Sequence, residues 1–245
     1  MNAVTLEHIV APDNLKLALD QVMARKAPPG LDGMSAEQLP AWLKAHHSEL
    51  TQAILSGKYR PMPARRIIRK SGNYHDCLNA CDLLVQAAVA QVISQEFADL
   101  SPYLSPAEAI DEIEHTAPEF PWLAAINGSA GLGSCNHSKL LQSLSSLGIA
   151  GYVVSLIHKM LLNPVSIAGK VGPKTTEGML SSGPLRPILI DVLFHEFDQI
   201  MAERGKSFVR VGACVVIQSK SAKAAERTLA NACKFMGKKL FVSVA

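Results

Sequence analysis

The sequence predicts an α+β fold, and three features carry that expectation. Helical periodicity fills the N-terminal third, and two strand–turn–strand patterns follow, around Gly172-Pro173 and around Gly212-Ala213-Cys214. Strands and helices do not alternate in the regular way a parallel βαβ sheet requires. The pairings are therefore expected to be antiparallel.

The elements follow in chain order. Leu15, Leu19 and Val22 recur at helical spacing and predict a helix over 13–25. Residues 26–33, reading KAPPGLDG, form a turn-rich joint. Ser35 with Gln38 makes a capping box, and a helix is expected from Pro40 to Gly57. Residues 59–69 hold Pro61 and Pro63 before Ile67-Ile68 and read as extended chain or strand. Residues 82–97 predict an amphipathic helix, with Leu84, Ala88 and Val92 on one face. Residues 121–126 predict a short buried strand that ends in a Gly-rich turn. Asn136 caps a helix over 138–147, and another helix covers 151–162. Strands at 165–170 and 174–177 form a hairpin through Gly172-Pro173, followed by a long helix over 187–204. A second hairpin pairs 207–211 with 215–219, a helix covers 222–236, and a last strand is expected at 239–244.

Composition narrows the function classes. Hydrophobic residues make up 48% and charged residues 18% of the 245, which excludes a disordered chain. No apolar run approaches the ~18–20 residues of a membrane-spanning helix, so no membrane partner is expected. The first eight residues, MNAVTLEH, lack the cationic and apolar regions of a signal peptide, and five cysteines fit no disulfide framework. The expectation is a cytoplasmic protein with reduced thiols.

The net charge of +3 hides a block structure. Residues 1–70 carry 10 cations and 6 acids, residues 71–138 carry 9 acids and no Lys or Arg, and residues 139–245 carry 14 cations and 6 acids. Such segregation suggests a polyanionic partner. The best candidate is a strip of 13 residues without an acid, holding Lys58, Arg60, Arg65, Arg66, Arg69 and Lys70, with Tyr59 as an aromatic that could stack on a base.

Other motifs carry less. The Gly128–Gly133 run lacks the third glycine of a dinucleotide turn and the Lys-Ser of a phosphate loop. His75, Asp76, Cys77 and Cys81 supply only three local nitrogen or sulfur ligands and no Cys-x-x-Cys pair. Cys135 or Cys214 with His137 would suit thiol chemistry only with a positioned base, and His195 and Glu196 read as packing or capping residues. No metal and no cofactor are expected.

Six segments, in order, resemble the bacterial group II intron reverse transcriptase and maturase family. They are Lys26-Ala27-Pro28-Pro29-Gly30-Leu31-Asp32-Gly33-Met34; Gly57-Lys58-Tyr59-Arg60-Pro61-Met62-Pro63-Ala64-Arg65-Arg66; Asp82 with Val85-Gln86-Ala87-Ala88-Val89-Ala90-Gln91-Val92-Ile93; Gly178 with Gly183-Pro184-Leu185 and Pro187; His195-Glu196-Phe197-Asp198; and Phe208-Val209-Arg210. The resemblance runs from about residue 13 to the end of the sequence. It implies a fingers subdomain over 1–75 and a palm with an antiparallel sheet over 76–245. The chain stops where the family's primer grip and thumb begin, so no thumb is expected.

The same resemblance implies where the chemistry should be. Polymerases of this family hold two Mg²⁺ ions with carboxylates on adjacent palm strands. The matching positions here are Asn127, Ala213 and Cys214, so all three carboxylates are missing. The triphosphate-clamping arginines fall near Cys81 and Leu83, the helper glutamine matches Ser181, and the aromatic beneath the incoming sugar falls in Gly128–Gly133. The expected function is a reverse-transcriptase-like domain without catalysis. It would retain binding of RNA or of a partner protein, or form a homodimer, as a remnant of a maturase. The alternatives are an active RNA-directed DNA polymerase with unorthodox metal ligands and an interaction scaffold that binds no nucleic acid.

Overall fold

The structure, a computed structural model, describes residues 4–100 and 105–244. Helices and sheets mix as the α+β reading expects, in two compact units interleaved along the chain. The first takes the chain up to Ala98 and then Leu141–Ile188, and the second takes Asp99–Leu140 and the chain from Leu189 onward.

The first unit holds helices α1 (Leu6–Val10), α2 (Pro12–Arg25), α3 (Leu39–Leu55), α4 (Ala80–Glu96) and α7 (Gly151–Leu161). Pro12 starts α2 at a position where its missing N–H is no loss, and Ser35 and Gln38 cap a 3₁₀ turn ahead of α3. The expected amphipathic helix at α4 is corrected by its burial. Every residue from Asp82 to Ile93 is buried, so α4 is the centre of this unit and not its border. Asn14 ties α2 to it, donating to the carbonyls of Ile9 (2.8 Å) and Ala88 (3.1 Å).

The sheet of this unit has the order β2-β1-β4-β5, from β1 (Ala64–Ile68), β2 (Tyr74–Cys77), β4 (Val165–Ile167) and β5 (Lys170–Val171). β1 pairs antiparallel with β2 and parallel with β4, so the pairing here is mixed. The β4–β5 turn falls at Ala168-Gly169, both at positive φ (49° and 81°), and not at Gly172-Pro173 as the sequence suggested. Two consecutive left-handed residues match the twist of a tight hairpin, whereas Pro173 fixes φ on the wrong side for that turn.

The second unit is a fully antiparallel sheet, β3-β7-β6, built from β3 (Trp122–Asn127), β6 (Ser207–Val211) and β7 (Cys214–Ser219). Helices α5 (Pro106–Thr116) and α9 (Ala222–Phe235) belong to it, while α6 (His137–Ser146) and α8 (Arg186–Glu203) contribute residues to both units. α5, with its Ser105–Glu108 capping box, has no counterpart in the sequence reading. β3 is an edge strand, and Trp122 (51%) and Leu123 (54%) are exposed, which corrects the expectation of a buried strand. The last expected strand is also absent among the described residues. A π-helical turn at Met236–Leu240 leads instead into an irregular stretch, residues 241–244.

The turn-rich joint at 26–33 is tied down chiefly by Asn79, with Arg65 bonding the Pro29 carbonyl. Asn79 Oδ1 accepts from the Asp32 N–H at 3.1 Å, and its Nδ2 donates to the Pro63 carbonyl at 3.2 Å. A Cβ on Gly30 would stand 2.7 Å from the Asn79 backbone. Gly30→Ala should therefore destabilise the protein by about 1–3 kcal/mol through overpacking against main chain, read as a lower urea midpoint. An unchanged midpoint would show that the joint can move aside.

Candidate functional site

Two places carry the residues that the sequence singled out. One lies in the second unit, where β3 ends and β7 begins. Asn127 and Cys214 are directly paired across the strands, and the β6–β7 turn brings Ala213 beside them. Both Asn127 and Cys214 are exposed, while Ala213 is buried. The Asn127 Oδ1 accepts from the Ser129 N–H at 2.9 Å and from the Cys214 thiol at 3.6 Å, and Ser129 Oγ lies 3.8 Å from that thiol. The polar groups at this junction are thus a neutral amide, a thiol and a hydroxyl. Magnesium takes hard and preferably charged oxygen ligands, so this set does not fit it. Ser134 and its neighbours form a 3₁₀ turn in which Gly131 lies directly against the Ser243 backbone. That close approach to main chain accounts for a glycine there without any phosphate.

Behind the same hairpin is a buried ionic cluster. Arg210 is fully buried and donates to Asp198 through Nε (2.9 Å) and Nη2 (2.6 Å), to Asp191 through Nη1 (3.0 Å), and to the Gly212 carbonyl (2.7 Å). Its guanidinium also lies over the Phe194 ring, 5.5 Å from the centroid. Two carboxylates share one cation here. Asp198 holds the bidentate bond, whereas Asp191 has one bonded oxygen and a buried Oδ2 without a partner. Burial pushes the Asp191 carboxyl up to about 7 against the pull of Arg210, and burial raises Asp198 as well. Asp191 is the more readily protonated of the two, because it has fewer donors.

The other place is the basic strip in the first unit, and the structure divides it. Tyr59 is 7% exposed and its hydroxyl donates to Asp82, which also accepts from the Met62 N–H (3.1 Å) and Asn79 Nδ2 (3.3 Å). Burial raises the Asp82 carboxyl to about 6, and burial beside Asp82 raises the Tyr59 hydroxyl well above its ordinary value. Tyr59 is a core residue with no ring for a base, and the stacking expectation for it is corrected.

Arg65 donates to the Pro29 carbonyl at 2.6 Å at the surface, with its Nε buried and unbonded. Arg66 makes two bonds to the buried Asp76, from Nε at 2.6 Å and Nη2 at 3.0 Å. Those bonds raise the guanidinium, and together with the Ser181 N–H they outweigh burial and hold Asp76 below the usual carboxylate range. Arg60 is exposed and folds back on the Gly57 and Tyr59 carbonyls, with Lys58 exposed beside it. Arg69 and Lys70 are exposed at the β1–β2 turn.

The sheet register adds residues that sequence order separates. The row Asp76–Arg66–Ile167–Lys170 crosses all four strands, and Tyr74 with Ile68 occupies the next row on the same face. Tyr74 is 42% exposed, and the Arg66 guanidinium lies over its ring at 3.9 Å. Tyr74 is the exposed aromatic among these cations, and Lys170 is a further exposed one. Two-residue spacing from a hairpin across Ser71-Gly72 was the signal available for Tyr74; nothing in the sequence joins Lys170 to the strip. Asp76, once a candidate metal ligand with His75, Cys77 and Cys81, is occupied by Arg66 and Ser181. Burial drives the Cys81 thiol up to about 12.

Comparison with known proteins adds the fold's relatives. The chain superimposes on chains of a Cas6-RT-Cas1–Cas2 complex and of a partial Cas6-RT-Cas1–Cas2 complex. Each has TM-score 0.58 and 17% sequence identity over 96% of this chain. The chain has a reverse-transcriptase-like fold. It spans 42% of the chain from the partial complex and 26% of the other. Protein YkfC of Escherichia coli (strain K12) is 25% identical over 197 residues, covering 72% of this chain and half of that protein's length. No protein-family model matches the sequence.

The buried cluster yields a pH prediction. Because the folded Asp191 carboxyl lies at about 7 against an ordinary value of 3.8, the folded state binds more protons than the unfolded one between those limits. Stability should fall as pH rises through that window and level off above it. Asp82, raised to about 6, contributes a slope of the same sign. Asp191→Asn keeps an acceptor for Arg210 and removes the surplus charge, so it should flatten the upper part of the profile and raise the urea midpoint above pH 7. Asp198→Asn should instead lower the midpoint by breaking the bidentate pair, and it should move the Asp191 slope to lower pH, because Asp191 is then the one carboxylate facing Arg210. Equal midpoints for parent and Asp191→Asn across the series would mean that Asp191 is charged throughout.

Proposed function

We propose that this is a reverse-transcriptase-like domain that no longer polymerises nucleotides and that binds single-stranded RNA on the exposed face of its four-stranded sheet, as a maturase-like remnant. In this reading the first unit serves as fingers and the second as palm. The observation that carries it is the pairing of Asn127 with Cys214 at the junction where the fold's polymerases need carboxylates. A neutral amide and a thiol cannot balance the charge of two Mg²⁺ ions or hold them by hard ligands. Against the alternative of unorthodox ligands, no group of three or more His, Cys, Asp or Glu able to hold a metal ion occurs among the described residues.

The binding half of the proposal rests on the sheet face. Arg66 and Tyr74 form a stacked platform, Ile68 and Ile167 are exposed beside it, and Lys170, Arg69 and Lys70 surround it. A base stacking on an aromatic and cations tracking the phosphates are the two contributions that single-strand binding uses, and neither reads sequence. The carboxylate on this face, Asp76, is fully buried and neutralised by Arg66, so it presents no charge to a backbone.

The test is filter binding of single-stranded RNA across a salt series. If about four cations touch phosphates, log K should fall against log[salt] with a slope of about −3. Replacing Arg69, Lys70 and Lys170 by Ala should flatten the slope by about 2. Tyr74→Ala should cost about 1–3 kcal/mol of binding and leave the slope unchanged. An unaltered slope in the triple variant would move the interface off this sheet. Template-dependent nucleotide incorporation that a chelator abolishes would overturn the claim of lost catalysis.

A further inference from the structure

The second unit carries a cationic notch that the RNA reading does not use. It is a cavity of about 60 Å³ between the end of α8, the start of β6 and one face of α9. Its floor is apolar: Phe197, Met201 and Phe235, with the Phe197 and Phe235 rings 5.9 Å apart. Its rim carries Arg204, Lys206 and Arg227 and no acid. None of the three makes an ion pair among the described residues. Lys223 and Lys234 lie at helical spacing on the Arg227 side of α9 and are exposed.

The size of the cavity selects among anionic occupants. A bound water needs about 10–15 Å³ of such space. The notch therefore takes about four to six atoms, the size of a branched aliphatic side chain. A nucleobase is larger and needs an open stacking face. The chemistry wanted is an aliphatic anchor flanked by carboxylates.

The same chain presents that feature elsewhere. On α5, Ile110 is 56% exposed, Asp111 is beside it, and Glu114 follows one turn later on the same outward side. The helix belongs to the stretch 71–138, which carries no Lys or Arg. Helical spacing thus puts one apolar anchor and two carboxylates on one solvent-facing stripe.

We propose that α5 of one copy docks into the notch of a second copy, with Ile110 entering the cavity and Asp111 and Glu114 meeting Arg204, Lys206 and Arg227. The two surfaces are different patches of one chain, so the contact is head-to-tail and leaves an unused α5 at one end and an unused notch at the other. Association should then continue past the dimer, and salt should weaken it because rim charges are solvent-exposed.

Sedimentation velocity of the full chain over a concentration series, at low and high salt, tests this. The parent should grow beyond a dimer with concentration and revert towards monomer in salt. A notch variant, Arg204→Ser with Arg227→Ser, and an α5 variant, Ile110→Ser with Glu114→Ser, should each self-associate at least about tenfold more weakly. All four positions are exposed, and matching unfolding midpoints confirm that the variants are folded. Mixed in equal amounts, the two variants still have one intact α5 and one intact notch between them and should stop at a 1:1 dimer. A parent that stays monomeric overturns the proposal, even if the notch captures an acidic peptide or RNA instead. So does undiminished association of either variant, or a mixture that stays monomeric or grows past the dimer.

Discussion

Asp76 has lost all contact with water, and the sheet around it is arranged to supply the donors that water would have given. Its carboxylate accepts two bonds from Arg66 on β1 and one from the Ser181 N–H, at 2.6, 3.0 and 2.8 Å. Its own N–H donates to Ser181 Oγ, and the Ser182 hydroxyl donates to its carbonyl. One residue of β2 thereby fixes the neighbouring strand and a loop 105 residues away in sequence. Removing a single partner from such a group leaves a desolvated charge or donor, which is more damaging than the loss of an ordinary contact. Asp82 repeats the device with Tyr59, Asn79 and the Met62 N–H, and through Asn79 it reaches the 26–33 joint.

The requirement for donors also explains the difference between the two ionic arrangements. Asp76 is so well supplied that it remains charged below the ordinary carboxylate range, whereas Asp191 has one bond and is driven to about 7. At the β3–β7 junction the chain avoids the problem altogether. Asn127 and Cys214 are neutral, and the amide is satisfied by the Ser129 N–H. Carboxylates in both places would repel across a strand pair unless a cation stood between them. A sheet that keeps this junction neutral keeps its hairpin without depending on a metal.

Much of the fold was legible in the sequence because local signals and tertiary demands agreed. The helix over 13–25, the Ser35–Gln38 box, Asn136 as a cap and the hairpin through Gly212-Ala213 each appear within a residue or two. Two of the misreadings share a cause. Whether α4 has a solvent face and whether β3 is covered depend on what packs against them, and sequence spacing does not carry that information. Among the site residues, Asn127, Ala213 and Cys214 lie together where β3 meets the β6–β7 hairpin, a juxtaposition that only the family resemblance and no local signal had suggested. Charge counting treated Arg65 and Arg66 as free cations, yet Arg66 is paired with the buried Asp76 and Arg65 bonds the Pro29 carbonyl at the surface. Tyr59 and Tyr74 are equally aromatic in sequence. Only the Asp82 carboxylate beneath one and the open sheet face beside the other distinguish a core side chain from a stacking surface.

The blocks of charge along the sequence are redistributed by folding, and the way they are redistributed separates two binding chemistries. Of the acids in the cation-free stretch, Asp76 and Asp82 are buried in the first unit and neutralised or desolvated there. Glu108, Asp111, Glu112 and Glu114 remain on the surface of α5 in the second unit. The sheet of the first unit consequently shows cations with no exposed acid on the Tyr74 face, while the second unit shows an acidic helix and a basic notch. A polyanion is attracted to the former at every register along its length, because phosphate contacts are repetitive. The latter pair is specific, because an aliphatic side chain must enter a cavity before the charges meet. Salt weakens both, but only the second needs one side chain to fit a cavity, and the residues that carry one are absent from the other.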